Sequence, residues 1–272
     1  MLKQIIKIVL LLILLSSCND KKVEKQNQLF NENSDNVTNK VQPNSEQLYS
    51  NAVLYFNNKQ FEECKKELLI LKTKFPNSTE INKTNNLLKD IDLEFEKIKK
   101  QEQRIESEER AKKKSVFFAN VKDLRKKTDK LEGMSWYQDK TSPRYSNRNG
   151  FYIYIASAGF SYPSLRLKIQ FKDDEWFFIK KYKIYVDGIR YSIEPEYGKI
   201  KRDNGNGDIW EWLDISVGKD EFEILTAIAG GNDVKIRYIS DKYHKDRTLT
   251  TKEKKAITNI LNVFSKIGGE IY

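Results

Sequence analysis

The spacing of hydrophobic and polar positions divides the chain into five stretches. An unbroken apolar run from Ile8 to Leu15 follows a basic start containing Lys3 and Lys7. A run of this length cannot cross a hydrocarbon core, which takes about 20 helical residues, and it fits the apolar centre of a secretory leader. From Asn19 to about Pro43 the residues are mostly Asn, Lys, Gln, Ser, Asp and Glu. Too little there can be buried to offset chain entropy, which predicts a disordered tether. Asn44 followed three positions later by Gln47 reads as a capped helix start, and Leu48, Ala52, Tyr55 and Phe56 then share one helical face. Phe61, Cys64, Leu68, Leu71 and Phe75 repeat that spacing until Pro76 stops it. A third helix is predicted from near Ser78 to about Leu131, an interval without Pro or Gly. Its apolar stripe of Leu87, Leu88, Ile91, Phe95 and Ile98 covers the hairpin, thins around Ile105, and returns at Phe117, Phe118, Val121, Leu124 and Leu131.

Gly133 opens a stretch of shorter period. Phe151, Ile153 and Ile155 alternate with Tyr152 and Tyr154, and Leu165, Leu167, Ile169 and Phe171 alternate with Arg166, Lys168, Gln170 and Lys172. This period of two predicts strands. Trp176 to Val186 and Ile189 to Ile193 flank Asp187-Gly188, a strong hairpin signal. Asn204-Gly205-Asn206-Gly207 reads as a loop tip, Ile209 to Val217 and Val234 to Ile239 as strands, and Asp220 to Ala229 as a helix. A last helix starts at Thr250 with Glu253 completing its cap, and presents Ala256, Ile257, Ile260, Leu261, Phe264 and Ile267. The expected class is α+β: a helical hairpin and long helix, then an antiparallel sheet or small sandwich with two helices.

Three resemblances add to this reading. Leu15-Ser16-Ser17-Cys18 resembles the lipobox of bacterial lipoproteins, which implies diacylglyceryl attachment to Cys18, cleavage before it, and often acylation of the new amino terminus. Two or more acyl chains anchor a protein stably to a membrane. The hairpin resembles one tetratricopeptide repeat with Pro76 at the closing position, Ala52 and Cys64 at the small positions, Tyr55 at the aromatic one, and Leu68 and Leu71 in the core. One repeat is visible where a stack takes about three. Trp136-Tyr137, Trp210-Glu211-Trp212 and Asp246-Arg247 resemble a module of uncharacterised bacterial and phage proteins, which implies a fold and no activity. The expected layout is a leader over 1–17, a tether over 18–44, the hairpin over 45–77, a long charged helix over 78–131 and a β-rich domain over 132–272.

Charge and composition then narrow the function classes. The net charge of +10 favours anionic surfaces, and outside the cytoplasm these are lipid head groups, wall polymers and glycans, with no nucleic-acid partner expected. Cys18 and Cys64 are the two cysteines and His244 the one histidine, so neither a disulfide framework nor a multi-histidine metal site is available, and no cofactor is expected.

Candidate chemistry centres on aromatics and acids. Trp210 and Trp212 stand two apart on a strand and share a face opposite Ile209, Leu213 and Ile215. They form either an exposed platform with Tyr152, Tyr154 or Trp136, suited to sugar faces or peptides, or a patch buried under the terminal helix. Glu211 with a second acid fits the carboxylate pair of a glycoside hydrolase. Asp173-Asp174-Glu175 reads as a hairpin turn between strands, and Asp203 to Asp208 as a simple loop rather than a calcium site. His244 lies in a polar stretch before the last helix with no assigned role, and Asp246 and Arg247 read as partners in a local ion pair or a helix-start contact. The expected function is a non-catalytic envelope lipoprotein, on the outer membrane ahead of the inner, that binds or scaffolds a protein or glycan partner. An envelope glycan hydrolase and a phage-exclusion or immunity lipoprotein stand as alternatives.

Overall fold

The computed structural model describes residues 43–271. The leader, Cys18 and nearly all of the expected tether lie outside them. The chain forms two compact units that divide after Lys97.

In the first unit, α1 (Ser45–Asn57) and α2 (Phe61–Lys74) form an antiparallel hairpin, followed by α3 (Ile81–Val121), which crosses the division. The Asn44 side chain accepts from the Gln47 amide at 2.8 Å and the Gln47 side chain accepts from the Asn44 amide at 3.1 Å, closing the expected capping box. Ala52, Cys64, Leu68 and Ile91 form a buried core, against which Tyr55, Phe56, Phe61, Leu87 and Phe95 pack. The apolar stripe of α3 therefore closes the hairpin core. Burial pushes the Cys64 thiol up to about 11, against a smaller opposing backbone hydrogen bond at Phe56.

This burial makes a direct prediction. With Cys18→Ala leaving Cys64 as the only thiol, a disulfide reagent should react slowly with the native chain and at once after urea unfolding. The raised value also means that the unfolded thiol ionises first. Stability is then complete below about pH 8.5, the ordinary thiol value, and declines as pH rises toward the folded value. Fast labelling of the native chain at pH 8 contradicts the buried placement.

The second unit begins inside α3 and is built on two antiparallel sheets. The six-stranded sheet has the order β1 (Arg125–Asp129), β2 (Met134–Gln138), β3 (Gly150–Ala158), β4 (Ser161–Asp173), β8 (Asp208–Ser216), β7 (Lys201–Gly205). The four-stranded sheet has the order β10 (His244–Thr248), β9 (Val234–Ile239), β5 (Lys181–Val186), β6 (Ile189–Ile193). Helices α4 (Lys219–Gly230) and α5 (Thr251–Lys266) complete the unit, confirming the α+β class. One core joins Phe151, Ile153, Leu167, Ile169 and Leu213 from the larger sheet, Ile184, Ile236 and Tyr238 from the smaller, and Ile228, Ile257 and Ile260 from the helices. Among the described residues no helix is long and apolar enough to cross a membrane.

Several elements differ from the sequence reading. The long helix ends at Val121, not near Leu131, and 125–129 pair with β2 as a strand. The Asp129 carboxylate accepts the amides of Leu131 and Glu132, and Gly133 takes φ +64°, so Leu131 stands at a hairpin tip and is 98% exposed. Phe117, Val121 and Leu124 do join the second unit's core. Trp176 to Lys180 are not part of β5, for a reason given below. Asp173-Asp174-Glu175 is no hairpin turn, because β4 and β5 belong to different sheets. His244 to Thr248, read as an irregular polar stretch, pair with β9. Asp187-Gly188 is a hairpin turn with φ of +47° and +100°, and the Asp187 carboxylate accepts the Asn232 and Asp233 amides.

Candidate functional site

The register of the larger sheet sorts its side chains onto two faces. Phe151, Ile153, Leu167, Ile169, Ile209 and Leu213 face the core together with α5. The opposite face carries Trp136, Tyr152, Tyr154, Arg166, Lys168, Gln170, Trp210, Trp212 and Asp214, because cross-strand partners such as Tyr152 and Lys168, Lys168 and Asp214, and Gln170 and Trp212 point the same way. All five aromatics singled out from the sequence thus share one outer face. The terminal helix lies on the other side, which removes the burial expected under it.

The five are not equivalent. Tyr152 and Tyr154 are only 5% and 8% exposed, and with Ala156 they form a small second core against Met134 and Trp136. The Tyr154 hydroxyl donates to the Asp214 carboxylate at 2.8 Å and accepts from Arg166 Nε at 2.9 Å, while Arg166 also reaches Asp214 at 2.8 Å. Burial, with the Asp214 charge beside it, raises the Tyr154 hydroxyl well above its ordinary value. These tyrosines support the face from within and do not present themselves to a partner.

Trp210 and Trp212 are half-buried and open onto a groove of about 310 Å³ lined by Tyr145, Ser146, Asn147 and Asp203. The 139–149 loop brings the first three residues over the sheet. It is pinned by Arg125, which donates to the carbonyls of Lys140 and Ser142, by Gln138 Nε2 to the Pro143 carbonyl at 3.1 Å, and by Asn259 Nδ2 to Asp139 at 2.6 Å. Gly205 keeps the neighbouring strand clear of the Trp210 ring, since a Cβ there would stand 3.3 Å from it. Lys168 Nζ lies 5.9 Å from the Trp212 ring centre, within cation–π range. Burial lowers the Lys168 ammonium, with Lys127, Lys201 and Arg166 adding to the effect and Asp214 opposing it. Two indole faces, hydroxyl and amide groups and one acid form a surface that can stack a sugar ring and hydrogen-bond its hydroxyls. Sequence spacing gave no sign of Tyr145, Ser146 and Asn147, because only long-range bonds bring their loop here.

Glu211 lies on the core face and is fully buried. Its Oε1 accepts the amides of Phe177 at 2.9 Å and Phe178 at 2.7 Å, and its Oε2 accepts the Ile179 amide at 2.9 Å and Arg202 Nε at 3.0 Å. Three successive amides are turned inward around this carboxylate, with Phe178 at φ +57°, and this is why 176–180 cannot extend β5. The acid suggested as a hydrolytic group is thus enclosed by backbone and an arginine. The Asp203 to Asp208 segment is the β7–β8 hairpin, with Asn206 and Gly207 in its turn at φ +53° and +84°. Among the described residues no group of three or more His, Cys, Asp or Glu side chains is arranged to hold a metal ion. His244 is exposed on β10, Asp246 pairs with Arg237 at 2.6 Å, and Arg247 pairs with Glu253 at the start of α5.

Comparison with known protein families, with characterised proteins and with solved structures finds no match to this chain.

Proposed function

We propose that this chain is a cell-envelope lipoprotein, tethered to a membrane through Cys18, whose second unit binds a glycan in the groove of Trp210 and Trp212 without acting on it. The observation that carries the binding role is the pair of half-exposed indoles beside Asp203, Ser146 and Asn147. The lipobox-like Leu15-Ser16-Ser17-Cys18 carries the tether, and the outer membrane is the favoured site. The non-catalytic character rests on Glu211, whose two oxygens are both occupied by structural partners.

One experiment tests both halves. Membrane fractions and purified peptidoglycan are each assayed with the parent, Cys18→Ala, and Trp210→Ala/Trp212→Ala. The parent should partition with membranes and co-sediment with peptidoglycan, and Cys18→Ala should lose only the first property. The tryptophan double variant should keep its fold by circular dichroism and lose about tenfold or more of its glycan affinity, as removal of central aromatic anchors does. Membrane partition of Cys18→Ala refutes the tether, and unchanged sedimentation of the double variant refutes the groove.

A further inference from the structure

The strands that carry Trp210 and Trp212 also set charge around them. In the register of the larger sheet Lys201 of β7 stands opposite Trp212 and Lys172 of β4 opposite Trp210, and cross-strand partners share a face. Lys168 Nζ lies 5.9 Å from the Trp212 ring centre, and on the loop side of the groove the Arg148 guanidinium lies 5.8 Å from the ring centre of Tyr145. We propose, resting on the glycan-binding reading of this groove, that the glycan it holds is acidic: its carboxylate or phosphate group is met by Lys201, Arg148 and Lys168 while a sugar ring stacks on the indoles.

Ion pairing within the face leaves these cations in excess. Asp214 is shared, 2.8 Å from Arg166 and 4.0 Å from Lys168, and Asp208 is taken by Lys172. Among the described residues Arg148 and Lys201 form no ion pair, and both are exposed. Asp203 is the one acid of the groove lining, and its carboxylate accepts the Asn204 amide at 2.9 Å. It stands two positions from Lys201 on the same side of β7, which offsets its charge and leaves Arg148 and the shared Lys168 uncompensated. The Lys168 side chain is only 18% exposed. Burial, and after it the charges of Lys127, Lys201 and Arg166, disfavour its ammonium, and Asp214 opposes them only in part. An anionic group on the ligand supplies the missing counter-charge at a place where salt screens weakly. A neutral sugar offers the indoles the same ring face and leaves that charge unrelieved. The chain's overall charge of +10 would draw a polyanion to any part of the surface, whereas unpaired cations bordering the aromatic rings select an acidic sugar at this one.

The test uses the full chain carrying Cys18→Ala and two pairs of oligosaccharides whose members differ in charge, trigalacturonate with its methyl ester and mannopentaose 6-phosphate with mannopentaose, measured by calorimetry at low salt. In at least one pair the acidic member should bind about tenfold or more tightly, and the pair that shows this identifies the group. Arg148→Glu/Lys201→Glu reverses two exposed charges and should cut the preference to about twofold or less. Lys252→Glu/Lys255→Glu makes the same change of charge on α5, behind the sheet, and should leave the preference as it was. Trp210→Ala/Trp212→Ala should weaken both members of a pair alike. Equal binding within both pairs, with affinities that fall in the tryptophan variant, overturns the acidic ligand and leaves the glycan groove standing. A preference that survives Arg148→Glu/Lys201→Glu, or that falls as far in the α5 variant, belongs to the whole surface and also overturns it. So does the absence of binding by all four sugars at millimolar concentration, in which case peptidoglycan sedimentation judges the groove alone. Acid binding unmoved by loss of both indoles refutes groove and acidic ligand together.

Discussion

Replacement of Glu211 by alanine is expected to destabilise the second unit by about 3–5 kcal/mol, the range for removing one partner from a buried ion pair. Three amides and the Arg202 side chain converge on this carboxylate, and the substitution leaves the Phe177 and Ile179 amides, which lie in fully enclosed surroundings, without acceptors. A domain of this size has only about 5–15 kcal/mol in hand, so the loss is a large fraction of the total. Glu211→Gln should be nearly as severe. Each oxygen faces two donors, so whichever way the amide turns, its NH₂ group meets N–H groups rather than acceptors. Urea unfolding followed by tryptophan fluorescence measures the effect, and a change below about 1 kcal/mol for Glu211→Ala contradicts the structural role. The consequence for function is practical. An activity lost in Glu211→Gln reports a damaged fold, so this substitution cannot identify a catalytic acid.

The same carboxylate explains part of what the sequence concealed. Trp176 to Lys180 have the composition of a strand, and only a partner more than thirty positions away turns their amides inward. Three of the unforeseen strands share a second cause. β1 (Arg125–Asp129), β7 (Lys201–Gly205) and β10 (His244–Thr248) are all edge strands, polar along both faces, and each pairs with one inner neighbour. Charged residues at sheet edges discourage pairing between molecules, and they also erase the alternation by which strands are recognised. Where burial is one-sided, as in Leu165 to Phe171, the pattern was plain. So were the local devices: the Asn44–Gln47 and Thr250–Glu253 capping boxes and the Asp187-Gly188 turn act over a few residues and can be read from those residues alone. The binding face follows the same division. The shared face of Trp210 and Trp212 follows from strand geometry, whereas the burial of Tyr152 and Tyr154 depends on β2 and on the Arg166–Asp214 pair.

Glu253→Gln should produce the second large effect, and one that depends on pH. Its Oε1 accepts the Phe151 amide at 2.9 Å, while its Oε2 takes Arg247 Nη1 at 2.8 Å and both the amide and the hydroxyl of Thr250 at 2.8 and 2.9 Å. One side chain thus caps α5, closes the start of β3 and neutralises a mostly buried arginine. Burial by itself would raise the Glu253 carboxyl, but the Arg247 hydrogen bond and charge, helped by Thr250, outweigh it and hold the carboxyl below its ordinary value. A group whose folded value is depressed contributes its stability above the unfolded value, about pH 4.3, and loses it as pH falls through the folded value. The parent should therefore exceed Glu253→Gln by about 2–4 kcal/mol at pH 7, and the gap should close as pH falls from 5 toward 3. Asp139, Asp173 and Asp246 also have lowered values, but they are present in both proteins and their contributions cancel in the difference. Urea midpoints measured at pH 7, 5 and 3 provide the check. A gap of constant size across that range means that the Glu253 charge is not what holds β3, β10 and α5 together, and the cap must then be assigned to its neutral hydrogen bonds.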